Sequence, residues 1–253
     1  MTGNCRFAYA QARVQARFSR LPAEAEWQRL AAARTLAVFL EEARAGGLRD
    51  WIKGFSNQSD SHDLEAGVRN LFRETVAEVA GWVPTPWRES LLWVGWLPLL
   101  PLLGHLARGG GLPPWVVRDP FLRPLRVEGG GLDPGRLGRA GAGPLAPLPP
   151  DPVGVWEAEW ARRRPACGRT PARHLDELVR LLREHTVAFR AAPPETAWEL
   201  RKGLRALAAR LFHRRLLQPV GPFLFLLLTA LDLERLRAEL VTRAVFASGE
   251  AAA

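Results

Sequence analysis

Residues 60–82, DSHDLEAGVRNLFRETVAEVAGW, decide the fold class. Their apolar side chains, Leu64, Val68, Leu71, Phe72, Val76 and Val79, recur every three or four positions and so line one face of a helix. Asp60 or Ser61 supplies the side-chain oxygen that caps such a helix at its N-terminus. Upstream, Phe7, Val14, Phe18 and Leu21 keep a helical face, Pro22 starts a new segment, and Leu36, Phe39, Leu40 and Ala43 repeat the pattern until Gly46-Gly47 ends it. Downstream, Pro84 and Pro86 open a tryptophan-rich segment that runs through Trp96 into a Leu/Pro stretch, which ends at the glycines of 109–111. Beyond residue 153 the helical period returns. It is carried by Val155, then by Leu175, Leu178, Val179, Leu182 and Phe189 after Thr170-Pro171, then by Leu200, Leu204, Leu207 and Leu211 after Pro193-Pro194. Gly221-Pro222 opens a last helix running to about Phe246. No segment alternates apolar and polar residues, so the expected fold is an all-α multi-helix bundle without a substantial sheet.

Residues 127–152, VEGGGLDPGRLGRAGAGPLAPLPPDP, interrupt the pattern. Their glycines and prolines predict a flexible linker or long loop. The expected organisation is an N-terminal helical lobe over 1–126, the linker, and a C-terminal helical lobe over 153–253, with one combined domain as the alternative.

A chain of 253 residues with 47% hydrophobic and 24% charged side chains can bury a core. The net charge of +9 invites an acidic partner. However, only Lys53 and Lys202 of the 35 basic residues are lysines, and Ala, Gly and Pro are abundant, as a GC-rich coding sequence would produce. Cys5 and Cys167 are too few for a disulfide framework. Residues 4–20 are polar and arginine-striped, unlike a signal peptide, so a cytoplasmic location is expected. Two apolar stretches, 91–106 and 216–231, are broken by prolines and glycines and fall short of the roughly 20 residues a bilayer demands; both read as core helices.

Reactive constellations are sparse. Neither a G-x-S-x-G elbow nor a P-loop occurs, and no cofactor is called for. His174 and His185 fall on one face of a predicted helix but three turns apart, about 16 Å, too far to share a zinc ion. His185 also lies on the apolar line and reads as a core histidine. His62, His105 and His213 have no companions, so no metal site is expected. Adjacent carboxylates such as Glu41-Glu42 point in different directions and read as solvated faces. Arg6, Arg13, Arg17 and Arg20, spaced seven, four and three apart, form a stripe on the first helix that is a candidate contact for an acidic partner. The arginines at 162, 163, 164, 169 and 173 could grip phosphates, though Trp160 alone stands among them as a stacking aromatic. Trp82, Trp87, Trp93, Trp96, Trp156 and Trp160 are either core or interface anchors.

Three segments carry a family resemblance. Residues 9–21, YAQARVQARFSRL, resemble the opening signature of the C/d subunits of V-type and A-type ATPase central stalks, a tyrosine followed by A-R-V and a basic helical run. Residues 63–74, DLEAGVRNLFRE, are similar to that family's D-L-x-x-x-x-R helices. Residues 222–240, PFLFLLLTALDLERLRAEL, resemble its closing helix, where an apolar run leads into E-x-x-x-L-R. The positions matched are Tyr9, Asp63, Glu234 or Asp232, Leu236 and Arg237. The resemblance implies pseudo-repeated helical units and a non-enzymatic adaptor between a membrane rotor ring and a soluble shaft, peripheral to the membrane's inner face. The chain is shorter than a usual member, and its Gly/Pro segment and tryptophan-rich middle have no counterpart in the pattern. The alternative function is an arginine-rich helical binding module for an acidic protein or nucleic acid.

Overall fold

A computed structural model describes residues 7–127 and 130–250, with no strand among them. Eleven α-helical segments follow one another among the described residues. They are α1 (Ala8–Phe18), α2 (Glu24–Ala31), α3 (Leu36–Arg44), α4 (Ser61–Trp82), α5 (Thr85–Leu92), α6 (Leu100–Ala107), α7 (Pro134–Leu137), α8 (Pro152–Arg163), α9 (Arg169–Ala191), α10 (Ala197–Arg214) and α11 (Val220–Glu250). The all-α bundle is therefore observed.

The helix read from residues 60–82 forms as α4. Asp60 caps it by accepting the backbone N–H groups of His62 and Asp63, both at 2.9 Å. Leu64, Val68, Phe72, Val76 and Val79 are buried along its apolar face. Replacing Asp60 with Ala frees two first-turn donors, and unfolding measurements should show a loss of about 1 kcal/mol. The exposed ion pair between Asp60 and Arg118 adds little to that figure.

The apolar face of α4 lies against α11, which also packs on α1, α3, α9 and α10. Buried side chains from Phe7 to Leu240 form one continuous core, so helices of both expected lobes contribute to the same interior. Polar ties between segments far apart in sequence reinforce this packing. Arg243, near the end of α11, donates Nε to the Ala33 carbonyl at 2.8 Å, and its guanidinium lies 4.6 Å from the Phe39 ring centre. Arg235 pairs with Glu24 at 2.7 Å.

The tryptophan-rich segment does not continue as one helix. After α5, residues Trp93–Leu99 tighten into a 3₁₀ helix containing Pro98, and α6 follows. Proline removes a backbone donor, which accounts for the break. By length and composition Thr85–Ala107 could cross a membrane, yet 61% of its apolar window is buried inside the fold. Trp93 and Trp156 lock this segment to α8 reciprocally, each indole N–H donating to the other's backbone carbonyl at 2.9 and 3.0 Å.

The stretch expected to be a flexible linker is folded over its described residues. Leu132, Leu137, Ala142, Leu145 and Ala146 are buried, and α7, one wide turn (Gly138–Ala142) and a 3₁₀ turn (Gly143–Leu145) carry them. Asp133 caps α7 through the Arg136 N–H at 2.8 Å, while the Arg136 side chain satisfies the carbonyls of Pro124 and Arg126. Gly141, at φ 94°, makes the reversal that a side chain would hinder. Small apolar residues at irregular spacing are enough to bury this segment, and irregular spacing leaves no period to read.

Candidate interaction face on α1, α4 and α11

The arginine stripe splits in the structure. Arg6 lies outside the described residues. Arg13 and Arg17, one turn apart on α1, both turn toward the C-terminal half of α4: the Arg13 guanidinium sits 5.1 Å from the Trp82 ring centre, and Arg17 pairs with Glu78. Arg20 is not on the helix, because α1 ends at Phe18. It lines the mouth of a cleft of about 340 Å³ together with Arg17, Asp50, Glu74 and Glu78, with Phe225 and Thr229 of α11 also in the wall. Arg20 and Glu74 are exposed and have no ion-pair partner among the described residues. The Lys53 ammonium, bonded to Asp50, holds that carboxyl below its usual range, with Arg17 and Arg20 adding to the effect. Thr229 is buried, and its Oγ1 has no hydrogen-bond partner. A cleft with two guanidiniums facing three carboxylates suits a polar protein segment carrying both signs of charge.

The residues matched by the family resemblance lie on the same three helices, α1, α4 and α11, but none lines this cleft. Asp63, in the first turn of α4, accepts two bonds from Arg118 at 2.9 and 3.0 Å. Arg237 of α11 donates to Glu65 of α4 at 2.9 Å and to Glu234 on its own helix at 3.2 Å. Tyr9 is 61% exposed on α1. Asp232 is buried and accepts a bidentate bond from Arg205 of α10, at 2.6 and 2.9 Å. Burial pushes the Asp232 carboxyl above its usual range despite that bond. The same bond raises Arg205, whose side chain is a third exposed and bears less of the desolvation.

Sequence reasoning missed the most heavily bonded acid. Asp119 is 2% exposed, accepts Arg69 Nη2 at 2.9 Å, and accepts the backbone N–H groups of Phe121 and Leu122 at 3.0 and 3.1 Å. Arg73, its guanidinium 3.0 Å from the Phe121 ring centre, is pushed down to about 10 by burial, with Asp119 opposing. No helical period flags a lone aspartate in a turn; the only cue was the R-D-P sequence at 118–120.

The arginine run at 162–173 is largely engaged within the chain. Arg162 and Arg163 hold Glu159, Arg163 also reaches Glu89, and Arg164 and Arg173 pair with Asp176 and Glu177. His185, expected in the core, is half-buried, its ring 5.9 Å from Phe189. His174 is the buried histidine, 5% exposed, and neither ring nitrogen has a partner. Burial holds its pKa below the usual value, Arg215 and Arg173 act in the same direction, and Glu177 opposes them. A histidine depressed in this way contributes stability above about pH 6.5, and that stability is lost as pH falls through the lowered value. Between pH 7 and pH 5 the wild-type unfolding midpoint should therefore drop more steeply than that of His174→Leu; parallel slopes would contradict the assignment. No group of three His, Cys, Asp or Glu suited to a metal ion occurs among the described residues.

No model of a known protein family and no curated protein matches this chain.

Proposed function

We propose that the protein is a non-catalytic helical adaptor of the kind its three family-like segments imply, coupling a membrane rotor ring to a soluble shaft from the cytoplasmic side. One observation carries this reading. The segments that resemble the C/d subunits, taken from both ends of the chain, lie on α1, α4 and α11, and these three helices pack on one another. The Arg237–Glu65 bond joins the second segment to the third. An adaptor that transmits torque must be stiff between points far apart in sequence. The ties from α10 and α11 to the first 80 residues (Arg205 to the Pro22 carbonyl, Arg235 to Glu24, Arg237 to Glu65, Arg243 to Ala33) supply that stiffness. In this reading Arg13, Arg17 and Arg20, beside the α1–α4–α11 cleft, form the partner contact, and Arg20 is the guanidinium available without breaking an internal pair.

The test is direct binding of the purified chain to purified rotor ring and shaft subunits of its host by size-exclusion chromatography. Co-elution that Arg20→Glu weakens at least about tenfold, or roughly 1.4 kcal/mol, supports the adaptor. Failure of the wild type to co-elute with either component refutes it. The second reading, an arginine-rich module for nucleic acid, rests on the net charge of +9 and requires DNA or RNA binding that falls steeply with salt.

A further inference from the structure

We propose that the cleft beside α1, α4 and α11 binds a free α-amino acid with an apolar side chain. Four segments build it. Leu71, Glu74 and Glu78 stand at three- and four-residue spacing on one face of α4, and Phe225 lies on α11. Arg17 and Arg20 come from the end of α1 and the turn after it, and Asp50 and Trp51 from the turn after α3. The cleft holds about 340 Å³, at the small end of the range for ligand pockets, which suits a small molecule.

The charges say what kind of molecule. Arg17 pairs with Glu78, and the Lys53 ammonium lies 2.6 Å from the Asp50 carboxylate. That leaves Arg20 and Glu74, one cation and one anion, both exposed and neither with an ion-pair partner among the described residues. Three carboxylates repel a phosphate or other polyanion, and two guanidiniums repel a free polycation. A ligand that meets both unpaired charges carries an anion and a cation of its own and no net charge. The two ends of an α-amino acid are such a pair. Its carboxylate accepts from the forked donors of Arg20, and its ammonium donates to Glu74. No internal ion pair holds either long side chain, so both can turn to one small ligand.

The apolar wall supplies the third contact. Leu21, Trp51 and Leu71 are half-buried and Phe225 is 2% exposed, so the cleft offers apolar surface beside its charged residues. A ligand side chain placed there leaves water, and its burial favours an apolar amino acid over glycine. The inference goes beyond the adaptor reading and does not rest on it, although Arg20 serves both. An amino acid is titrated into the chain alone, so co-elution with ring and shaft can fail while the amino acid binds, and the reverse.

The test is calorimetric titration of the purified protein with leucine, methionine and phenylalanine. Glycine and the amide and N-acetyl derivatives of the three serve as controls. At least one of the three should bind at a single saturable site, with glycine at least about tenfold weaker. The amide lacks the carboxylate and the N-acetyl form lacks the ammonium, so each should bind at least about tenfold more weakly than the parent amino acid. Arg20→Gln should erase most of the preference over the amide, and Glu74→Gln most of the preference over the N-acetyl form. A general loss of folding would not sort the losses in this way. Both positions are exposed and unpaired, so both variants should fold, which circular dichroism checks. Absence of saturable binding of all three up to about 10 mM overturns the proposal. So does glycine binding as tightly as the others, affinity indifferent to blocking either end, or wild-type affinity in both variants.

Discussion

Asp119→Ala should be among the most damaging single substitutions in this protein, lowering stability by about 3–5 kcal/mol. The carboxylate is buried and accepts from the Arg69 guanidinium and two backbone N–H groups. Removing it leaves Arg69, only 16% exposed, held between Trp115 at 4.4 Å and a second acid, Glu65, at a loose 3.9 Å. Arg73 loses the countercharge that opposes its desolvation. The main penalty is a buried charge without its partner, which is larger than the net worth of the intact pair. Asp119→Asn keeps an oxygen for the two backbone donors and should lose less. In thermal unfolding the alanine variant should melt on the order of 10 °C lower. A loss below about 1 kcal/mol would mean that the 118–122 turn is not a structural clamp on α4.

Leu236→Ala should cost about 2–5 kcal/mol by a different route. Leu236 is fully buried on α11, the helix that packs against α1, α3, α4, α9 and α10. Truncation removes three buried carbons and leaves a void that so many fixed neighbours cannot close, which places the cost in the upper part of that range. Leu236→Met, nearly conserving volume, should lose less than about 1.5 kcal/mol. Denaturant titrations of the two variants side by side separate packing from any polar effect. If both lose the same amount, the cavity explanation fails.

Legibility in the sequence followed the regularity of the pattern. The α4 line from Leu64 to Val79 and the capping role of Asp60 are both found as read, because a 3.6-residue period and a side-chain cap are local. Residues 130–152 bury Leu132, Leu137 and Leu145 through short turns that pack on one another and on α8, and such irregular spacing leaves composition alone to read, which predicts a linker. Arg20 was placed on a helix that ends two residues before it. Spacing extended the stripe, but α1 stops at Phe18 and the Ser19 hydroxyl folds back onto the Ala16 carbonyl. His185 sits on the correct helical face but where α9 passes half-exposed beyond the body, while His174, closer to the core, is the buried one. Of the candidate site, the arginines were legible as charge, but the carboxylates that would meet them were not. Glu78 and Asp50 reach the cleft only through the packing of α1 on α4 and the turn after α3.

The pattern of arginine use bears on function. Most guanidiniums of the 162–173 run and two of the first-helix stripe pair with carboxylates of the same chain or lie over its aromatic rings, with Arg162 and Arg173 on the surface. A high net charge then need not mean a nucleic-acid surface, because many arginines pair within the chain, some across helices (Arg163 to Glu89, Arg164 to Asp176) and some along one helix (Arg162 to Glu159, Arg173 to Glu177). That favours a stiff interaction body over a polyelectrolyte grip.

The measurement that tests this account most directly is affinity purification of the tagged protein from its host's membranes in mild detergent, followed by mass spectrometry. The account predicts rotor-ring and central-stalk subunits at near-stoichiometric levels, reduced in the Arg20→Glu variant. Their absence from a host that expresses them, with the tagged protein intact and folded, would contradict it.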